Sequence, residues 1–123
     1  MNFLNAGLLV FLGGGLGSFS RFAVGKLTTI ISISKFPIGT LISNLFATLI
    51  LALTLFYIKD KIDTNNFIKY FIVIGFCGGF STFSTFSFET VSLFKDGFIL
   101  YGILNVLLSL TLAFIILWVL STK

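Results

Sequence analysis

Histidine is absent from this chain, and cysteine occurs once, at Cys77. The usual metal clusters draw on both residue types, and one cysteine cannot form a disulfide within its own chain, so neither a metal cluster of the usual ligands nor an internal disulfide can be assembled. Charge is scarce as well. Asp, Glu, Lys and Arg make up 10% of the 123 residues, where a soluble domain carries about a quarter. Proline appears only at Pro37. What fills the sequence is apolar: 57% of residues are hydrophobic, 17 of them phenylalanine, and the mean hydropathy is +1.13. The solvent such a chain is built for is a lipid bilayer. Its net charge of +4 comes from basic residues scattered at segment ends, not clustered in one stretch. That pattern speaks against nucleic acid and for contact with lipid headgroups and a mild attraction for anions.

The apolar runs last about 20 residues, the length that crosses the hydrocarbon core as a helix; membrane β-strands are about half as long and alternate. The sequence predicts an all-α membrane protein, a single domain of four transmembrane helices at about residues 4–24, 38–58, 67–88 and 98–120. Phe3 to Leu12 has the length of a signal-peptide core. Met1 and Asn2 supply no Lys or Arg before it, however, and Gly13-Gly14-Gly15 leads into further apolar residues, so the segment reads as retained.

Polar residues inside these spans are the informative ones. In the first span, Gly13 and Gly17 are four apart, as are Gly14 and Ser18, so small residues line one helix face and admit a neighbouring backbone. Arg21 lies at the edge of the same span, where a cation either snorkels to the headgroups or faces an aqueous vestibule. Asn44 in the second span needs hydrogen-bond partners, on another helix or on something passing through. In the fourth span Asn105 and Ser109 share a face, and Trp118 is placed as an interfacial anchor. Basic residues divide equally between the two sides of the membrane: Arg21, Lys26, Lys35 and Lys95 against Lys59, Lys61, Lys69 and Lys123. Charge therefore sets no orientation, and insertion both ways would allow an antiparallel dimer.

The third span is unlike the others. Gly75, Gly78 and Gly79 weaken a helix, and the serines and threonines that follow can satisfy freed backbone groups, so a break is predicted near Gly78 to Thr82. Phe80, Phe83 and Phe86 form one stripe, Ser81, Ser84 and Ser87 a second, and Thr82 and Thr85 a third. Ring edges carry partial positive charge and hydroxyls are donors. Together with the Asn44 amide they suit a small anion. Glu89 closes the stretch, either as a solvated terminus or bonded to hydroxyls at a pore mouth.

Three motifs in this order, Gly13-Gly14-Gly15-Leu16-Gly17-Ser18-Phe19-Ser20-Arg21-Phe22, Gly39-Thr40-Leu41-Ile42-Ser43-Asn44 and Ser81-Thr82-Phe83-Ser84-Thr85-Phe86-Ser87, resemble the Fluc or CrcB family of small four-helix fluoride channels over nearly the whole chain. The resemblance implies an antiparallel, dual-topology homodimer, or a heterodimer with a paralogue, in the cytoplasmic membrane. Its two pores would pass fluoride passively out of the cell, exclude chloride and so give fluoride resistance; no enzymatic activity is implied. By motif position Asn44, Phe83 and Phe86 would line the pore, with Ser84, Thr85, Ser87, Asn105 and Ser109 on its polar track. Arg21, Thr40 and Glu89 would stand at the vestibule or pore mouth. A structural Na+ at the dimer centre would be held by the Gly78 and Ser81 backbone carbonyls. Phe80 and Ser81 stand where many members have tyrosine and threonine, Ala47 replaces a frequent glycine, and Asn105 is larger than the serine often found there. Two other classes compete. A small multidrug-resistance-type transporter needs a carboxylate in its first helix, which is missing here, and a non-transporting assembly subunit leaves the aromatic and hydroxyl stripes unexplained.

Overall fold

The computed structural model describes residues 1–123. Helix α1 covers Phe3–Ile31 and opens on Asn2, whose side chain accepts the Asn5 N–H at 2.9 Å. It continues well past the expected end at Val24. Thr28 and Thr29 donate their hydroxyls to the Gly25 and Lys26 carbonyls at 2.9 and 2.7 Å, which lets a polar stretch stay helical. After a short connection, Pro37 precedes α2, Ile38–Tyr57, and a single turn α3, Lys59–Ile62, leads to the third span.

That span has four parts. Phe67–Cys77 is wound as a π-helix and tightens into one α-helical turn, α4, Gly78–Phe80. Ser81 (φ −81°, ψ 155°) and Thr82 (φ −151°, ψ 113°) are then extended, and α5 resumes over Phe83–Lys95. The break lies at the hydroxyl residues; Gly78 and Gly79 before it remain helical. Thr82 caps α5 by accepting the Thr85 N–H on its hydroxyl at 3.2 Å, the usual service of an N-cap threonine. At the far end Gly97, with φ 85°, reverses the chain. The Phe98 N–H reaches the Leu93 carbonyl at 2.8 Å and the Gly97 N–H the Phe94 carbonyl at 3.2 Å, the paired bonds that close a helix on a left-handed residue. Helix α6, Ile99–Ser121, completes the bundle.

Four segments, Phe3–Ile31, Ile38–Tyr57, Phe67–Lys95 and Ile99–Ser121, are long and apolar enough to cross a membrane. Packing between them relies on missing side chains. A Cβ on Gly13 would meet the Phe71 carbonyl, one on Gly17 the Phe76 carbonyl, and one on Gly79 the Gly14 carbonyl. α1 and the third span thus touch backbone to backbone, which is how helices gain contact when lipid removes the hydrophobic drive. Helix α2 packs on α6, and α5 closes against α6. Only 16 of 123 residues are buried, so most apolar side chains face lipid or another chain.

Candidate functional site

The break is held from both sides. On the α2 side the Asn44 amide pairs with the Thr82 backbone, Oδ1 accepting the Thr82 N–H at 2.7 Å and Nδ2 donating to its carbonyl at 3.3 Å. On the α1 side Arg21 Nε donates to the Gly79 carbonyl at 3.2 Å, joined by the Ser18 hydroxyl at 3.5 Å. In an uninterrupted helix that carbonyl would bond the Phe83 N–H. Arg21 is therefore directed inward onto the third span.

Two cavities flank this junction. The first, about 500 Å³, is lined by Arg21, Lys26, Thr40, Thr85 and Glu89 among others. A smaller polar hollow beside it, of about 240 Å³, shares Thr40 and Glu89. Thr40 donates its hydroxyl to Glu89 Oε1 at 2.9 Å, and the second carboxylate oxygen is buried without a partner. The sequence expectation for Arg21, Thr40 and Glu89 thus falls on one cavity. It is bordered by hydroxyls and by both signs of charge.

The second cavity, about 220 Å³, lies beyond the break and is lined by Asn44, Thr48, Ser81, Thr82, Phe83, Phe86 and Ser109. The Phe83 and Phe86 rings stand 5.9 Å apart between centroids. Phe86 is buried, whereas Phe83 is 78% exposed. One wall of this cavity is consequently open at the surface of a single chain. The Thr82 hydroxyl, on the second cavity, donates to the Thr85 hydroxyl, on the first, at 3.1 Å. A file of hydroxyls joins the two spaces.

Other expected residues sit elsewhere. Ser84 is exposed and within 3.3 Å of the Thr82 hydroxyl; Ser87 donates back to the Phe83 carbonyl at 2.8 Å. Neither lines the two cavities. Asn105 shares a face with Ser109, but it is fully buried between α5 and α6, donating to the Thr90 hydroxyl at 2.9 Å. Thr48 and Thr90 had not been singled out. Each follows a marked residue by four positions, Asn44 and Phe86, and that spacing on a helix was the available signal.

The carbonyls of Gly78 and Ser81 have lost their helical donors. The Thr82 N–H is taken by Asn44 and the Thr85 N–H by the Thr82 hydroxyl. Both residues border a surface depression with Ala47, Thr48, Leu51, Val73 and Cys77. Oxygen donors of this kind suit a hard monovalent cation, so the residues present fit a Na+.

The chain resembles known proteins along most of its length. The family model described as CrcB-like protein, Camphor Resistance (CrcB), matches residues 8–120. A protein of Coxiella burnetii named Fluoride-specific ion channel FluC is 40% identical over 106 residues, covering 85% of this chain and 86% of that one. Proteins of the same name from Pyrococcus abyssi and Solibacter usitatus are 37% and 34% identical, over 91% and 90% of this chain and 93% and 91% of theirs. With a broken third span carrying the phenylalanine and hydroxyl stripes, and with likeness along almost its full length, this chain belongs to the CrcB-like family.

Proposed function

We propose that this chain is the subunit of a fluoride channel, a multi-pass protein of the cell membrane through which the anion passes passively out of the cell. The observation that carries the reading is the meeting of Asn44, Phe83, Phe86 and Ser109 on one cavity of a membrane-spanning bundle, in a chain whose relatives bear the fluoride-channel name. Fluoride is small and strongly hydrated, so a pathway must replace its water with donors and still let it go. Asn44 uses one amide proton on the Thr82 carbonyl, which leaves a second for an anion. The edges of the Phe83 and Phe86 rings offer weak positive potential, and the Thr85 hydroxyl, which accepts from Thr82, has its own proton left to continue the donors toward the Arg21 cavity. Larger anions such as chloride match so small a donor set poorly. Arg21 and Lys26 raise the local anion concentration at the mouth.

Two copies arranged antiparallel complete the pathway. Exposure of Phe83 on the open side of the cavity supports this, since a ring meant for an anion gains nothing from facing lipid. The equal division of basic residues supports it also. In such a dimer the Gly78 and Ser81 carbonyls of both copies would hold one structural Na+, which supplies fixed positive charge and ties the two breaks together. A proton-coupled exporter is not favoured, because α1 has no acidic residue to carry the proton. The purified protein, reconstituted into liposomes loaded with fluoride or chloride, is expected to release fluoride and retain chloride. Retention of both anions by a folded protein overturns the proposal.

A further inference from the structure

Asn105 is the largest side chain in the protein with no exposed surface. A carboxamide at that depth must be hydrogen-bonded, and its partners are not arbitrary. Nδ2 donates to the Thr90 hydroxyl at 2.9 Å, and Thr90 in turn donates to the Phe86 carbonyl at 2.8 Å. Oδ1 accepts the Ser109 hydroxyl at 3.4 Å. The chain of bonds therefore begins at Ser109 and ends at Phe86, and both of those residues line the second cavity. Asn105 itself lines neither cavity.

From this connectivity we infer that Asn105 is a positioning residue for the anion pathway, acting through Ser109 on one side and through Thr90 and Phe86 on the other. A serine within a helix ordinarily donates to the carbonyl four residues back, which here is the main-chain carbonyl of residue 105. The Asn105 side chain intercepts that proton. Its bond is long, so the hydroxyl stays beside the cavity and can turn its hydrogen bond to a passing anion with little loss. Without the carboxamide, Ser109 closes onto its own helix and the cavity loses a donor. Thr90 fixes the other end, setting how far the α5 turn that carries Phe86 stands from the α6 turn that carries Ser109.

This inference rests on the fluoride-channel reading, and the two fail differently. In liposomes, unmodified protein that releases no fluoride sinks the functional reading itself. Given release by the unmodified protein, Asn105→Leu, which keeps volume and removes both bonds, is expected to slow fluoride efflux by about threefold or more, the usual effect of one interhelical hydrogen bond in a membrane protein. In a Ser109→Ala background the same substitution is expected to cost much less. Independent, multiplicative effects of the two changes would mean that Asn105 only glues α5 to α6, and the inference would fall. Thr90→Val gives a second route should Asn105→Leu not fold. It is expected to slow efflux, and Thr90→Ser, which restores the hydroxyl, to recover what Thr90→Val loses; equal rates for the two Thr90 variants overturn the inference.

Discussion

At the scale of single residues, the two phenylalanines assigned to the pathway differ in what else they do. Phe86 is buried and belongs to the packing of the subunit, whereas Phe83 is 78% exposed and contributes almost nothing to it. Isoleucine keeps apolar bulk but has no ring edge to offer an anion. Phe83→Ile is therefore expected to cut fluoride efflux at least tenfold without altering the thermal stability of the solubilised subunit. Phe86→Ile is expected to cut efflux similarly and, in addition, to destabilise the fold by about 1 kcal/mol through imperfect repacking. Efflux assays and thermal unfolding in detergent separate the two effects. Unchanged flux in both variants would remove the ring-edge account. Asn44 shows why residue type alone is an incomplete guide. Its need for partners was legible in the sequence. That it pairs with both the N–H and the carbonyl of Thr82 follows only from α2 lying beside the break.

At the scale of elements, the glycines of the third span changed meaning between sequence and structure. With the hydroxyls after them they predicted a break near Gly78 to Thr82, and the break lies within that range, at Ser81 and Thr82. Gly75 and Gly79 instead face the backbone of α1, which has Gly13, Gly14 and Gly17 opposite. The contact is backbone against backbone, so no rotamer change can absorb an added methyl. Gly17→Ala is expected to lower stability by about 2 kcal/mol and to disrupt the folded subunit in size-exclusion chromatography. Gly15→Ala has open space around it and is expected to be neutral or slightly stabilising, since alanine is the better helix former by about 1 kcal/mol. Equal stability of the two variants would show that the close seam does not limit packing. Number, order and approximate position of the spans were readable because lipid demands long apolar helices. Local winding was not: nothing in Phe67–Cys77 distinguishes a π-helical from an α-helical run, and the hydroxyls of Thr28 and Thr29, which resemble loop residues, bond backward and extend α1 to Ile31.

For the whole molecule, orientation in the membrane decides whether two copies can complete each other. Lys and Arg near helix ends set topology, while Asp and Glu count for little, and the even distribution of basic residues leaves this chain balanced. Such a balance is fragile, which makes it testable. Asp60 and Asp63 lie exposed in the connection between the second and third spans, and Ile33 and Asp96 lie exposed in connections on the opposite side. Asp60→Lys with Asp63→Lys should hold the first of these connections in the cytoplasm, so that every copy inserts the same way. Ile33→Lys with Asp96→Lys should force the reverse orientation. Topology reporters at the C-terminus are expected to show both orientations for the unmodified chain and one for each double variant. If antiparallel pairing builds the pathway, each double variant alone loses fluoride resistance in cells, because parallel copies cannot bring the open face of one Phe83 cavity against the other. Co-expression of the two restores it, each supplying the orientation the other lacks. Full resistance from a single-orientation variant would eliminate the antiparallel dimer while leaving the fluoride pathway of the subunit intact. Loss of resistance that co-expression fails to repair, with both proteins present in the membrane, would trace the defect to the substituted connections and count equally against pairing by orientation.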